Sequence, residues 1–340
     1  MNNSILGIDI GTHSIKAVEL IRGKNKKIRL RSVGYIPSPS VSSEGTTKKI
    51  VEGLGRLIHD MKVSTNEAVI SLPPSKVVTR IVEVPLMKDA ELASSIQWEA
   101  EQYIPWPLAK SRVDYAVIEE NPDTKRMKIL LAAAPKDFVE SIMSIVDQVG
   151  ITPIGIEPEV VAIVRCITFS LPPLPAILVL SFGATNSEIA LVRKKEIVFT
   201  KSFPIGGNTL GRAISEEMGF QFTQAEEYKK TYGIEENRLE GKIYKVIIPL
   251  LSAMLSDLEK ALIYYKSQYS QETISTLVLT GGSAKIPGLV PYLTKYFGLD
   301  CQLINPFSSI SVDSSIAPMV IPDGVLYTVA TGLGLKVFDL

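Results

Sequence analysis

Residues that bind metals and form disulfides are scarce in this sequence. Its 340 residues include two cysteines, Cys166 and Cys301, and two histidines, His13 and His59. Their spacing fits no metal-binding motif and no disulfide framework. The sequence therefore excludes a histidine-rich metal site, a structural zinc centre and the class of small secreted domains that disulfides hold together.

An excess charge of one sign and long hydrophobic segments are also lacking. Lysine and arginine together number 36, as do aspartate and glutamate, so the formal net charge is zero. We find no basic stripe along the chain and expect no nucleic-acid partner. Apolar runs such as 175–180 are far shorter than the roughly 20 residues of a membrane helix, and no signal-peptide pattern opens the chain. We expect a cytoplasmic α/β protein of two or more domains, because one ordinary core does not hold 340 residues.

The first buried strand and the polar turn after it form the first candidate site. Residues 5–20 are two apolar, β-prone runs around Gly-Thr-His-Ser, which predicts a hairpin with a polar turn. Asp9 ends the first strand, where a carboxylate could hold a hydrated magnesium ion. The turn offers backbone, hydroxyl and ammonium groups to a phosphate. The residues concerned are Gly11, Thr12, His13, Ser14 and Lys16. A hairpin with a polar tip is equally common without a ligand, so companion sites are needed.

Two blocks follow from the spacing of apolar residues in the first half. Residues 1–76 predict three strands, a helix and a strand. Residues 77–152 predict a strand, a helix, two strands and a helix with a small core of their own, which we interpret as an inserted subdomain. A helix is then predicted over 156–165, with Glu157 near its start.

The second half opens in the same way as the first. After the stiff segment 172–175, a buried strand, a polar Gly turn at 183–186 and two further strands repeat the opening pattern. Helices are predicted through about 208–272, and a second Gly-rich turn follows the strand at 276–279. This internal repetition predicts duplicated halves.

Three Gly-containing turns thus lie at the ends of buried strands. Such turns present backbone N–H groups to phosphates without a side chain in the way. In the second half they contribute Gly183, Ala184, Thr185 and Asn186, then Gly281, Gly282 and Ser283. One such turn carries little information, but three of them, two at equivalent places in duplicated halves, favour a nucleotide held between two lobes.

In these three motifs the sequence resembles the superfamily of actin, sugar kinases and heat-shock ATPases. The insert at 77–152 is similar to that of the bacterial actin-like proteins FtsA, of cell division, and PilM, of type IV pilus assembly. The segments 98–107, 206–208 and 303–307 resemble the PilM family most closely. A cell-division homologue is expected to add a linker and a basic amphipathic helix, whereas this sequence ends at Leu340 directly after its predicted terminal helix.

The resemblance implies an α/β fold of two actin-like (ribonuclease H-like) lobes with an FtsA-type βαββα subdomain inserted. The implied bounds are 1–76 and 153–172 for the first lobe, with the C-terminal helix 325–340 packing back on it, 77–152 for the insert, and 173–324 for the second lobe.

The resemblance also implies ATP and Mg²⁺ as cofactors. Asp9 matches the acid that holds magnesium through water. The turn at 11–16 matches the first phosphate loop and the turn at 183–186 the opposing one, whereas Gly281, Gly282 and Ser283 match the turn beside the purine. Glu226, Lys229 and Lys230 match a pattern that contacts ribose and adenine, and Gly207 is a further residue expected to bind the nucleotide. Taken alone, without the other motifs, Glu226–Lys230 is better explained by a solvated helix face. Glu157 lies where the superfamily can position the attacking water, although a helix-start acid is the simpler account.

Ser181 departs from the superfamily pattern, which has an acid at the start of the second phosphate loop. A serine supplies no negative charge to a metal shell. ATP binding therefore stays plausible, and we expect at most slow hydrolysis.

The function implied by the resemblance is that of an ATP-binding scaffold in the type IV pilus assembly complex, and hence in twitching motility. Its expected partner is the cytoplasmic N-terminal peptide of a PilN-like inner-membrane protein, which would hold the chain peripherally at that membrane. Pilus motor ATPases and self-association are further implied contacts. The alternatives are an FtsA-like cell-division protein and a small-metabolite kinase, although we find no convincing Asp to serve as a kinase base.

A groove between the insert and the first lobe is the predicted peptide site. The insert helix combines an acidic face with aromatic residues, which suits a peptide with basic and apolar side chains. These residues are Glu91, Glu99, Glu101, Trp98, Tyr103 and Trp106. The alternative is that both tryptophans pack the core of the insert.

Overall fold

The structure is a computed structural model that describes residues 4–23, 26–39 and 45–338. Its strands are β1 Ser4–Ile10, β2 Ser14–Arg22, β3 Ile28–Pro37, β4 Glu67–Leu72, β5 Val78–Pro85, β6 Ser111–Asn121, β7 Arg126–Pro135, β8 Thr152–Pro158, β9 Ala176–Phe182, β10 Ser187–Arg193, β11 Glu196–Phe203, β12 Thr276–Thr280 and β13 Asp300–Leu303. Its helices are α1 Thr46–Met61, α2 Asp89–Glu101, α3 Lys136–Asp147, α4 Glu159–Ser170, α5 Gly207–Met218, α6 Phe222–Tyr232, α7 Lys242–Gln268, α8 Leu289–Phe297, α9 Ala317–Val320 and α10 Thr328–Leu335.

Two five-stranded sheets share one topology. Their orders are β3-β2-β1-β4-β8 and β11-β10-β9-β12-β13. In the first sheet β1 pairs antiparallel with β2 and parallel with β4, and β4 pairs parallel with the edge strand β8. In the second sheet β9 pairs in the same way with β10 and β12, and β12 pairs parallel with the edge strand β13. The predicted duplication of the two halves is therefore confirmed.

Contacts divide the chain into two units. Unit 1 contains Met1–Pro172, Lys195–Thr200 and Pro306–Leu340, and unit 2 contains Pro173–Lys194 and Lys201–Asn305. We had placed 306–324 in the second lobe, but Phe307 and Ile310 lie in the core of the first sheet. The prediction failed there because an irregular segment carries no periodicity that shows which core it covers.

Helices cover both faces of the first sheet. On one face α10 packs against α4 and β1, and the backbones come so close that a Cβ atom on Gly332 would lie 1.9 Å from the carbonyl oxygen of Ala162. On the other face α1 and α3 pack over β1, β2 and β4. The terminal helix thus belongs to unit 1, while Asp339 and Leu340 lie outside the described residues.

One stretch within this core is long and apolar enough to cross a membrane by length and composition alone. It spans Ala317–Leu335, and 56% of its most apolar window is buried. It combines α9, a 3₁₀ turn and α10, and its last helix fills the core described above. We therefore interpret it as a core segment.

The insert forms a three-stranded sheet, β5-β7-β6, covered by α2. Leu92, Ile96 and Ala100 recur at helical spacing and face this sheet. We expected α3 in the same small core, but its Ile142 and Ile145 pack with α1 in the core of the first lobe. An apolar stripe predicts that a helix has a buried face but not which neighbour buries it. The boundaries of the insert itself stay a prediction.

The helix predicted over 156–165 is a strand followed by a helix. Residues up to Pro158 pair parallel with β4, and α4 begins at Glu159. Proline is well tolerated at the start of a helix, and it disfavours a helical conformation in the residue before it. Pro158 therefore precedes the helix, and Glu157 stays extended. Glu157 therefore lies at the end of a strand, where its neighbour across the sheet is Ser71.

Candidate functional site

The β1–β2 hairpin positions the first set of predicted site residues. Asp9 and Lys16 are register partners, and the Nζ of Lys16 lies 2.8 Å from Oδ2 of Asp9. The carboxylate is buried, with Asp9 4% exposed. A buried carboxylate beside an ammonium group is a strong ion pair that a metal or phosphate would have to reorganise. The structure thus brings together the two charged groups that the sequence selected.

The turn between these strands is open to solvent at its tip. Thr12 and His13 are exposed, whereas Ser14 is buried. The Gly11 N–H donates to the Ser14 carbonyl at 3.2 Å, and Lys16 Nζ donates to the same oxygen at 3.3 Å. The tip is therefore accessible to a ligand, and the charged base of the hairpin lies beneath it.

Two serines of this site were missed by the sequence analysis. Ser71 Oγ donates to Asp9 Oδ1 at 3.1 Å, and Ser38 Oγ donates to the Gly11 carbonyl at 2.5 Å. Ser71 lies at the end of β4, which is parallel to β1. The only available signal was a lone hydroxyl in an apolar strand, and that signal does not identify its partner.

Unit 2 brings its Gly turns together in one cluster. The Gly207 N–H donates to the Gly183 carbonyl at 2.9 Å, and Ser283 Oγ donates to the same carbonyl at 2.8 Å. The Asn208 N–H donates to the Ala184 carbonyl at 2.8 Å. The first N–H groups of α5 are thus already used, and the Gly183 N–H donates to the Asn186 carbonyl at 3.0 Å. An anion would therefore have to bind N–H groups further along the 183–186 turn.

Close backbone contacts explain the glycines of this cluster. A Cβ atom on Gly207 would lie 2.3 Å from Ser283 Oγ. Gly281 has φ +89°, a conformation that disfavours other residues, and its Cβ would lie 2.5 Å from the Phe182 carbonyl oxygen. Gly282 and Ser283 begin the 3₁₀ turn that follows. These glycines are required by packing whether or not a ligand is bound.

The residues predicted to contact adenosine differ in burial. The side chains of Lys229 and Glu226 are mostly enclosed, whereas that of Lys230 is exposed. Lys229 is 5% exposed, and its Nζ donates to Glu226 Oε1 at 2.5 Å and to the Gly207 carbonyl at 2.7 Å. Burial lowers the pKa of Lys229, and the hydrogen bond that Lys229 donates to Glu226 opposes this shift. Lys230 lies on the exposed face, 3.5 Å from Glu227. The solvated-face alternative therefore describes Lys230 but not Lys229.

A carboxylate that the sequence analysis missed lies beside Ser181. Glu188, on β10, is the register partner of Ser181 on β9 and is buried. Directly opposite residues of an antiparallel pair project on the same face of the sheet. In unit 1 the corresponding pair is Asp9 and Lys16, also at the ends of the first two strands. The second half thus keeps an acid near this position, but on the neighbouring strand.

Ser181→Asp should destabilise the protein, because it places a second carboxylate opposite Glu188. We expect a loss of roughly 1–3 kcal/mol in the free energy of unfolding, since like charges facing each other across a sheet repel and burial increases the cost. Urea unfolding measures it, with Ser181→Ala as the control that adds no charge. Equal stability of the Asp and Ala variants would contradict the proximity of these side chains.

Glu157, the candidate for positioning an attacking water, forms ion pairs with two cations. Arg165 binds its oxygens at 2.5 and 3.0 Å, and Lys336 Nζ lies 2.8 Å from Oε2. Arg165 also donates to the Gly332 carbonyl at 2.9 Å. This network ties β8 and α4 to the end of α10. Glu157 thus has a structural role in joining these elements.

Other reactive groups of the described chain are poorly suited to catalysis. Burial raises the pKa of the Cys166 thiol to about 12. No group of three or more His, Cys, Asp or Glu residues among the described positions could hold a metal ion directly. The buried carboxylate of Asp9 fits the predicted magnesium site only as a single acidic group acting through water.

A groove on the insert contains the exposed Trp98. It has a volume of about 650 Å³ and lies between α2, β6 and the first residue of α3. Trp98 is 73% exposed, so it does not pack the core of the insert, whereas Trp106 is half-buried. Arg112 and Lys136 also line the groove.

The charge of this groove differs from that of the acidic helix face on which the predicted peptide site rests. None of its lining residues is acidic, and the glutamates of α2 that we expected to meet a basic peptide lie outside it. Glu91 instead accepts a hydrogen bond from the Lys88 N–H at the start of α2. The helical spacing identified an acidic face, but Arg112 and Lys136 come from elements distant in sequence.

Comparison with known proteins decides the family. A family model described as type IV pilus assembly protein PilM matches residues 7–338. The chain belongs to the PilM family of type IV pilus assembly proteins. The resemblance inferred from the motifs is therefore confirmed over nearly the whole chain.

Solved structures show the fold of this PilM-family chain. A chain of a PilM–PilN type IV pilus biogenesis complex is 24% identical, with 99% of each chain covered and a TM-score of 0.86. MreB5 of Spiroplasma citri bound to AMPPNP is 14% identical, with 100% of this chain and 96% of that chain covered and a TM-score of 0.55. The predicted actin-like fold is confirmed.

A cell-division relative is also similar in sequence. The protein FtsA of Streptococcus pneumoniae serotype 2 (strain D39 / NCTC 7466) is 20% identical over 343 residues, which cover 88% of this chain and 75% of FtsA. This similarity is consistent with the actin-like fold, and the family match favours the pilus protein over the cell-division alternative.

Proposed function

We propose that this protein is an ATP-binding scaffold of the type IV pilus inner-membrane assembly complex, which captures the cytoplasmic N-terminal peptide of a PilN-like membrane protein. The observation that carries the proposal is the groove with its exposed Trp98, on a chain of the PilM family. Such a partner would hold the chain at the cytoplasmic face of the inner membrane. From the same family resemblance we also propose contacts with pilus motor ATPases and self-association.

Two sets of residues support nucleotide binding, one in each unit. In unit 1 the charged pair Asp9–Lys16 lies beneath an open polar turn. In unit 2 the Gly183 turn, Ser283 and Lys229 form one hydrogen-bonded cluster. MreB5, whose fold this chain shares, binds the nucleotide AMPPNP. That similarity of fold supports nucleotide binding here.

Magnesium would be held through water by Asp9, and it would neutralise phosphate charge there. Lys16 would bind phosphate oxygens, and the Gly11–Ser14 backbone would orient them. Glu157, the one residue considered as positioning an attacking water, is paired with Arg165 and Lys336. We therefore propose at most slow hydrolysis, and the same observation disfavours a small-metabolite kinase.

The groove supports a peptide with an apolar side chain and a carboxylate. Trp98 offers a large exposed ring, and aromatic anchors of this kind dominate the energy of peptide binding. Leu108 and Val113 add apolar surface. Arg112 and Lys136 provide positive charge for an acidic group. Lys136 already donates to the Ala109 carbonyl at 2.8 Å, which fixes its position beside the groove.

Trp98→Ala should weaken binding of the partner's N-terminal peptide by roughly 2 kcal/mol, about thirtyfold in Kd, as expected for a central aromatic anchor. Fluorescence anisotropy with the full chain measures the effect. Ile263→Ala is the matched control, since Ile263 is 69% exposed on α7 and lies away from the groove. Deleting 77–152 would be a poor test, because it removes α3 from the core of the first lobe. Unchanged affinity of the Trp98 variant would place the peptide site elsewhere.

A further inference from the structure

Positive charge is concentrated in one hairpin of unit 1. Residues 22–31 contain six lysines and arginines, and no acidic residue occurs from 20 to 43. The chain-wide charge of zero conceals this local excess, so our expectation of no basic stripe is wrong for this segment. We define the basic hairpin as Lys26, Lys27, Arg29 and Arg31, all of which are exposed.

The fold directs these side chains outward. Lys26 and Lys27 lie in the connection between β2 and β3. In β3, Arg29 and Arg31 alternate with Ile28 and Leu30, which are buried in the core of the first sheet. Because side chains of a strand alternate between its faces, the two arginines share the face away from that core.

The carboxylates near this surface do not neutralise it. Lys26 and Arg31 form no ion pair within the described residues. The adjoining segment 311–323 carries two acids, Asp313 and Asp323. Hydrogen bonds from Ser315 lower the pKa of Asp313, and Arg29 adds to this effect, so Asp313 lies within electrostatic reach of the hairpin. The four cations of the hairpin therefore outnumber the two acids of the adjoining segment.

Exposed apolar side chains follow in the chain after the segment that pairs with β3. Ser311 forms two 3.0 Å hydrogen bonds with the backbone of β3. Its carbonyl accepts from the Leu30 N–H, and its N–H donates to the Ile28 carbonyl. The chain then turns into α9, where Ile316 and Val320 pack against the core. Met319 and Ile321 point outward instead and are 78% and 43% exposed.

We propose that the basic hairpin, together with Met319 and Ile321, contacts an anionic phospholipid surface directly. Lysines and arginines near such a surface are attracted to it, and apolar side chains beside them can enter the boundary between headgroups and acyl chains. Nucleic acid would satisfy the cations but offers no apolar phase to the two side chains. This contact is independent of the peptide groove and of the nucleotide site.

Sedimentation of the full chain with vesicles tests the lipid contact. Vesicles of phosphatidylglycerol and phosphatidylcholine should bind the protein, pure phosphatidylcholine should not, and binding should fall as salt rises. The triple variant K26Q/R29Q/R31Q should bind about a hundredfold more weakly, since each cation near the surface contributes about fivefold. The control R80Q/K110Q/K295Q changes the net charge equally at exposed positions elsewhere. Equal losses in both triples would show general charge attraction and overturn the proposal.

The apolar contribution distinguishes a lipid surface from nucleic acid. The double variant Met319→Ser, Ile321→Ser keeps every charge and should reduce vesicle binding at least tenfold. Its unfolding curve should match that of the parent, because both side chains are exposed. Unchanged vesicle binding, or tighter binding to duplex DNA than to vesicles at equal phosphate concentration, would overturn the proposal in favour of a polyanion site.

Discussion

Lys16→Met is expected to weaken Mg-ATP binding by roughly 1–3 kcal/mol, about five- to 150-fold in Kd, because it removes a charge-assisted contact to phosphate. Isothermal calorimetry on the full chain measures the change. Lys295→Met serves as the control, since Lys295 is exposed at the end of α8 and has no site role.

The interpretation of that variant requires a second one, because Lys16 also neutralises the buried Asp9. Asp9→Asn/Lys16→Met removes both charges and should restore most of the stability that Lys16→Met loses. Binding should remain weak in the double variant if Lys16 contacts phosphate. Parent-like ATP affinity in the double variant would show that the hairpin is a structural ion pair and not a nucleotide site.

Gly332→Ala should lower the free energy of unfolding by about 3 kcal/mol or more. The new Cβ would lie 1.9 Å from the Ala162 carbonyl oxygen, so α10 would have to move away from α4. That movement would also disturb the Arg165 hydrogen bond to the Gly332 carbonyl and thereby the hold on Glu157.

Gly55→Ala is the matched control for this substitution. Gly55 also lies within a helix, α1. A Cβ atom added at Gly55 would have Val149 Cγ1 as its nearest neighbour, at 3.6 Å, which is an ordinary contact. Because alanine is the better helix former, this variant should be more stable by about 0.5–1 kcal/mol. Urea unfolding of both variants gives the comparison, and equal effects would contradict the close approach of α10 and α4.

Local pattern was sufficient to predict the strands that carry the site. Asp9 and Lys16 stand out because apolar residues alternate on both sides of a polar turn, and the same argument found the Gly183 turn in the second half. Family resemblance added the roles of Lys229 and Ser283. The structure then placed both in one hydrogen-bonded cluster with Gly207.

Pairings between elements distant in sequence could not be predicted. Ser71 reaches Asp9 only because β4 lies parallel to β1, and Glu188 stands beside Ser181 only through the β9–β10 register. The groove charges were missed for the same reason, since Arg112 and Lys136 meet Trp98 through the sheet of the insert. Periodicity gives the face of an element, whereas its partner depends on the whole fold.

The measurement that tests the nucleotide site most directly is a crystal structure of the full chain with Mg²⁺ and a non-hydrolysable ATP analogue. We predict phosphate oxygens within hydrogen-bonding distance of Lys16 Nζ and of the backbone of Gly11–Ser14, with the magnesium ion linked to Asp9 through water. An analogue whose phosphates lie away from this hairpin, or its absence from crystals soaked at saturating concentration, would contradict the account.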